Sequence, residues 1–121
     1  MRRVAALLPF ACLAIACAAA PRVGALEHVE AAGWQDGVLE VASARGIGGL
    51  ALEAVPRTPF RICFRYDASR PYSRLEGLEV AAIGRGGERQ DVPVAVTGGC
   101  ATVAGAPGAA TLRIRFVDFY R

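Results

Sequence analysis

The sequence predicts an all-β protein, a small antiparallel β-sandwich behind an N-terminal export signal. Two segments support this prediction, residues 60–66 and 112–116, in which apolar side chains alternate with arginine or cysteine. Such strict alternation is typical of strands that bury one face and expose the other. The third observation is a pair of cysteines, Cys63 and Cys100, in the part of the chain that would remain after export.

The first twenty residues have the order of a secretory signal peptide. Arg2 and Arg3 form a positive start, residues 4–16 are an apolar run, and small residues follow it. The run is short for a membrane span, which takes about 20 apolar residues. Residues 1–18 are therefore predicted to be a signal peptide cut before Ala19. A membrane anchor or an apolar core helix is the alternative.

Residues 14–17 also resemble the lipobox of bacterial lipoproteins, in which a cysteine becomes the lipidated first residue of the mature protein. The segment departs from that family at Ala14, where leucine is usual. In this alternative the leader ends before Cys17, Cys17 is lipidated, and the lipid is the protein's only contact with the membrane.

Size and charge narrow the classes of function. The 121 residues are enough for one domain and not for two. All 14 basic residues are arginines, and with 11 acids the formal charge is +3; losing Arg2 and Arg3 with a leader lowers it by two, to +1. A nucleic-acid-binding domain usually keeps a clear basic excess, so nucleic acid is not an expected partner.

The cysteine count predicts one disulfide. Cys12 is lost with the leader and Cys17 is either lost or lipidated, which leaves Cys63 and Cys100 as an even pair in an oxidising compartment. A bridge closing a loop of nearly forty residues would stabilise the fold by roughly 3–4 kcal/mol. A redox pair or half of a metal site is the alternative, but there is no Cys-x-x-Cys and the one histidine is His28. No metal and no cofactor are expected.

Glycine and proline divide the mature chain into short strands. Residues 19–33 are predicted to be a tail or a first short strand, with a helical turn at 26–31 as the alternative, and the sandwich is predicted to span 34–121. After an Asp36-Gly37 turn, the predicted strands are 38–42, 50–55, 60–66, 78–83, 89–97, 100–104 and 111–120. Seven or so such strands indicate a jelly-roll or immunoglobulin-like sandwich.

Residues 33–41, a glycine-rich break, residues 50–55, a proline-bearing turn and residues 60–67 follow one another in an order that resembles the opening of jelly-roll carbohydrate-binding modules. Those modules often begin with an aromatic residue before an Asp-Gly turn, as Trp34 does here, and end on an alternating strand. The resemblance covers most of the mature chain. It implies a role in ligand binding or as a scaffold.

A second resemblance is local. Residues 42–49 are similar to the cofactor loop of short-chain dehydrogenases, and Asp67 lies where that family places the acid that meets the ribose. It implies a nucleotide-binding fragment with a helix after the loop. The sequence departs from the family at Ala42, where the first loop glycine belongs, and at Pro56, which would interrupt that helix. The family's catalytic lysine is also impossible, since the chain has no lysine.

Arginines on the two alternating segments are the candidate binding residues. If those segments are neighbours, four guanidinium groups form one cationic face for an anionic ligand, such as a uronate-bearing polysaccharide or a lipid headgroup. Two tyrosines at the strand ends could add stacking. The candidate set is Arg61, Arg65, Arg113, Arg115, Tyr66 and Tyr120. Cross-strand ion pairs with Glu40, Glu53 or Glu79 are the alternative, which near-neutrality favours.

Catalysis is not expected. There is no Gly-x-Ser-x-Gly nucleophile motif. A carboxylate pair for glycoside hydrolysis could be drawn from several glutamates, but the sequence gives no separation between them. The prediction is therefore an exported, periplasmic or secreted binding or envelope-structural protein, whose partner is a polysaccharide or another envelope protein.

Overall fold

The computed structural model describes residues 21–67, 70–72 and 75–118. Within these ranges eleven strands form two sheets, and no residue is helical. The described part of the chain thus has no helix long and apolar enough to span a membrane. The predicted all-β sandwich is confirmed.

The strands are β1 (Arg22–Glu27), β2 (Ala31–Gln35), β3 (Val38–Ala42), β4 (Ile47–Glu53), β5 (Phe60–Asp67), β6 (Arg70–Pro71), β7 (Leu75–Ile83), β8 (Arg89–Asp91), β9 (Val94–Thr97), β10 (Cys100–Val103) and β11 (Thr111–Asp118). The five-stranded sheet has the order β1-β4-β11-β7-β8. The six-stranded sheet has the order β2-β3-β5-β10-β9, with β6 paired to β5.

The core lies between the sheets and is built mainly on β5 and β11. Alternate residues of these strands are buried, as the sequence predicted: Phe60, Ile62 and Phe64 from one sheet, and Leu112, Ile114 and Phe116 from the other. The rings of Phe64 and Phe116 meet across the core with their centroids 4.5 Å apart. The two alternating segments therefore share one buried layer while belonging to different sheets.

One strand pair runs parallel, β3 with β5. The strand between them in the chain, β4, lies in the opposite sheet. The chain crosses to the opposite sheet after β3, forms β4 there and crosses back. It therefore runs through β5 in the same direction as through β3, and the two strands pair in parallel. The other pairs in the two sheets are antiparallel.

The segment before Trp34 forms two edge strands. The Asp36-Gly37 turn, with φ of 52° and 81°, joins β2 to β3 as a two-residue hairpin. The chain passes from the five-stranded sheet to the six-stranded sheet between β1 and β2, where His28 has a φ of 57°. The alternative of a helical turn at 26–31 is wrong.

The predicted strand at 89–97 is two strands in different sheets. It breaks at Val92 and Pro93, and Pro93 has no N–H to donate to a sheet. The Val92 N–H still donates to the carbonyl of Val80 in the five-stranded sheet, while the Pro93 carbonyl accepts from Ala104 beside the six-stranded sheet. The crossing between sheets therefore occurs at this dipeptide.

Candidate functional site

The four candidate arginines lie on two opposite surfaces. Arg61 and Arg65 lie on the outer face of β5, in the six-stranded sheet, while Arg113 and Arg115 lie on the outer face of β11, in the five-stranded sheet. The buried faces of β5 and β11 point at each other, so their arginines point away from each other. The single cationic face considered from the sequence is therefore not formed.

On the six-stranded sheet, Arg65 is held by an ion pair. Its guanidinium nitrogen lies 3.3 Å from a carboxylate oxygen of Glu40 on the neighbouring strand β3, with both side chains about one-third exposed. This is one of the cross-strand pairs that the alternative predicted. Arg61 is exposed, and its direct cross-strand neighbours are Val38 and Thr102.

On the five-stranded sheet, Arg113 stands between two small residues. Its cross-strand neighbours are Ala51 on β4 and Ala81 on β7, which are 8% and 2% exposed although they lie on the outer face. Glu53, which the sequence offered as a partner for this face, instead accepts a hydrogen bond from Arg22 on β1. That hydrogen bond raises the pKa of Arg22.

Arg115 lies in a row of charged residues across the same sheet. Its cross-strand neighbours are Gly49 on β4 and Glu79 on β7, and Gly49 in turn pairs with Glu27 on β1. A Cβ atom at Gly49 would be 3.6 Å from Arg115 Cγ and 3.8 Å from Glu27 Oε1. The Glu27 carboxylate and the Arg115 stem thus both lie at ordinary contact distance from the side-chain position of Gly49.

This row borders a surface depression of about 320 Å³, which we call the Arg115 depression. Besides Arg115 it is lined by Glu27, His28, Ile47, Gly77, Glu79 and Val117. The neighbouring row of the sheet, formed by Ile47, Val117 and Gly77, gives it an apolar side, and Ile47 is 45% exposed. The depression therefore combines one cation, two carboxylates and an exposed apolar strip.

The backbone irregularity of β1 places Glu27 in this row. The pairing of β1 with β4 shifts between Gly24 and Glu27, and Ala25 has a φ of 52°. Gly48 permits the close approach of β1, because a Cβ atom there would lie 2.6 Å from the carbonyl oxygen of Glu27. Sequence reasoning missed Glu27 as a site residue, since an alanine such as Ala25 does not signal a left-handed backbone.

Of the two aromatic candidates, Tyr66 is not an open stacking platform. Tyr66 is partly buried, its ring centroid lies 4.5 Å from that of Tyr72, and the Arg70 guanidinium lies over it at 5.2 Å. Tyr120 lies outside the described residues. Trp34 packs at the core edge, 5.6 Å from Phe60 between ring centroids, and its indole N–H donates to the Pro21 carbonyl.

The predicted disulfide between Cys63 and Cys100 is present. The two cysteines are directly opposed on β5 and β10, on the outer face of the six-stranded sheet, and both are half-buried. The bridge therefore joins neighbouring strands of one sheet rather than the two sheets. It is compatible with an oxidising compartment. Cys17, the candidate lipidation site, lies outside the described residues.

Ser43, in the loop that resembled a dehydrogenase cofactor loop, is fully buried. Its Oγ lies 2.6 Å from the carbonyl oxygen of His28 and 3.1 Å from that of Ile47, and its own carbonyl accepts a hydrogen bond from the Tyr72 hydroxyl. The loop is thus a packed junction between strands. The helix that the resemblance implies is not formed, because Ile47–Glu53 is strand β4.

No metal centre is visible among residues 21–67, 70–72 and 75–118, which contain no group of three or more histidine, cysteine, aspartate or glutamate side chains placed to hold an ion. No protein-family model, no curated protein and no solved structure matches this chain. The likeness to carbohydrate-binding modules therefore extends to an all-β architecture of two sheets and no further.

Proposed function

We propose that this chain is an exported, non-catalytic binding protein and that it binds its ligand at the Arg115 depression. The observation that carries the proposal is that the Arg115 guanidinium has no ion-pair partner among the described residues. Glu79 is its direct cross-strand neighbour, yet within the described ranges no carboxylate oxygen lies at ion-pair distance from its guanidinium. By contrast, Arg22 and Arg65 each have an acidic partner on the neighbouring strand.

A guanidinium in a depression suits a ligand that carries a planar acidic group. Arginine binds carboxylates through two parallel hydrogen bonds, a geometry that an ammonium group does not offer. The strip formed by Ile47 and Val117 can contact the apolar side of a sugar ring or a short side chain. The proposed ligand class is an acid-bearing saccharide or a similarly small acid from the cell envelope.

The proposed compartment is the periplasm or the exterior. Two features support it: residues 1–18, which have the order of a signal peptide, and the Cys63–Cys100 disulfide, which is stable in oxidising surroundings. Intact mass measurement of the exported protein tests this. A chain beginning at Ala19 means a cleaved leader, and a lipidated chain beginning at Cys17 means a lipoprotein. A chain that still begins at Met1 would contradict export by cleavage.

The binding proposal is tested by calorimetric titration of the purified full chain with three carboxylate-bearing probes: glucuronic acid, muramic acid and dialanine. Arg115→Gln should weaken binding about tenfold or more. Arg113→Gln is the matched control, since Arg113 lies on the same strand and the same face but does not line the depression. It should stay within about twofold. Equal losses in both variants, or no binding of any probe, would reject the site.

A further inference from the structure

The charged residues around Arg115 bear on whether the ligand has a second charged group besides its acid. In the row across the five-stranded sheet, Arg115 has Glu79 on one side and, beyond Gly49, Glu27 on the other. By formal charge, the carboxylates of Glu27 and Glu79 outnumber the one guanidinium, that of Arg115, in the lining of the Arg115 depression. A ligand that is only anionic would satisfy Arg115 but would meet two carboxylates of its own sign.

We infer that the Arg115 depression selects a zwitterion, a small molecule that carries a free ammonium group close to a carboxylate. The inference rests on the proposed function, because it concerns the same site. The ligand carboxylate binds the Arg115 guanidinium, and the ligand ammonium binds Glu79 or Glu27. Each charge of the ligand then faces the opposite sign.

The spacing of the strands fits this arrangement. Neighbouring strands lie about 4.8 Å apart, so Glu79 starts one strand from Arg115 and Glu27 starts two strands from it on the other side. Within that width an amine and an acid a few ångströms apart can reach both signs. The residue between Glu27 and Arg115 in this row is Gly49, so no side chain separates the two charged residues.

This chemistry has two sources in an envelope, namely amino-sugar acids and the free ends of amino acids or short peptides. Muramic acid and dialanine each carry both charges, while N-acetylmuramic acid and N-acetyldialanine keep the acid and lose the amine. Comparing the two pairs by calorimetric titration of the full chain distinguishes the sources. The pair that shows Arg115-dependent binding identifies the source.

We expect at least one zwitterion to bind about fivefold or more tightly than its N-acetylated form. The double variant Glu27→Gln with Glu79→Gln should abolish that preference and leave binding of the N-acetylated acid unchanged or stronger. Glu40→Gln, on the opposite face of the sandwich, is the matched control and should keep the preference.

The outcomes separate the two proposals. If an N-acetylated acid binds as tightly as its zwitterion and Arg115→Gln weakens both, the zwitterion inference is overturned and the binding site stands. If the preference for the amine survives in the Glu27→Gln and Glu79→Gln double variant, the inference is overturned as well. If no probe shows binding that depends on Arg115, the binding site itself is rejected, and the inference with it.

Discussion

Phe64 and Phe116 join the two sheets of this protein at the centre of its core. Each ring belongs to a strand that alternates apolar residues with arginine or cysteine, and each side chain is 1% exposed. Their contact sets the geometry of both outer surfaces. Because the apolar faces of β5 and β11 point at each other, Arg61 and Arg65 face one side of the molecule and Arg113 and Arg115 face the other.

Removing either ring should cost a large fraction of the stability. Phe64→Ala or Phe116→Ala leaves a cavity between the sheets, and truncation of a buried phenylalanine typically lowers the free energy of unfolding by about 3–5 kcal/mol. Denaturant unfolding followed by tryptophan fluorescence measures the loss, since Trp34 packs at the edge of the same core. A loss below about 1 kcal/mol for both variants would mean that the sheets do not meet there.

The exposed arginines should contribute little to folding. The double variant Arg61→Ala with Arg113→Ala removes one side chain from each outer face, and neither residue has an ion pair in the part of the chain that the structure describes. We expect the free energy of unfolding to change by less than about 1 kcal/mol. Failure of this variant to fold would show that these side chains are structural.

Two strand glycines, Gly48 buried in the inner strand β4 and Gly33 exposed in the edge strand β2, should respond differently to an added methyl group. Gly48→Ala places a Cβ atom 2.6 Å from the carbonyl oxygen of Glu27, so β1 must shift to make room. We expect this to lower the free energy of unfolding by about 1–3 kcal/mol. Gly33→Ala meets no atom within 4 Å and should be neutral or slightly stabilising. Thermal unfolding of the two variants compares them directly. Similar melting temperatures would contradict the packing of β1 against β4.

The disulfide should be complete and stabilising. Mass spectrometry after alkylation is expected to find no free thiol at Cys63 or Cys100. The bond closes a loop across a sequence separation of 37 residues, so reduction should lower the free energy of unfolding by about 3–4 kcal/mol. The double variant Cys63→Ser with Cys100→Ser should have a free energy of unfolding that is lower by a similar amount, and reductant should not lower it further. Two alkylatable cysteines in the exported protein would refute the bridge.

Much of the fold is predictable from local patterns. The strand at Val38–Ala42 has its predicted bounds, and Phe60–Asp67 extends the predicted strand by one residue, because an Asp-Gly turn and flanking prolines mark the ends. Alternation also identifies which residues of β5 and β11 are buried. It cannot say which sheet a strand joins. Alternation therefore predicts that the four arginines lie on outer faces, but it does not predict their division between two surfaces.

The site was less predictable than the fold. The alternating pattern makes Arg115 a candidate, but Glu27 reaches its row through an irregularity in β1 at Ala25, a residue that carries no signal for a positive φ. The change of sheet at Val92 and Pro93 was missed for a related reason. Alternation continues through the dipeptide, and only long-range pairing shows that β8 and β9 belong to different sheets.

The most direct test of the account is a chemical-shift map of the isotope-labelled full chain titrated with muramic acid or dialanine. We expect the amide signals of Gly49, Glu79 and Arg115 to move together and to saturate, while those of Arg61 and Arg65 on the opposite face stay in place. Shifts that cluster around Arg61 and Arg65, or no saturable shift with either probe, would contradict the claim that this protein binds its ligand at Arg115.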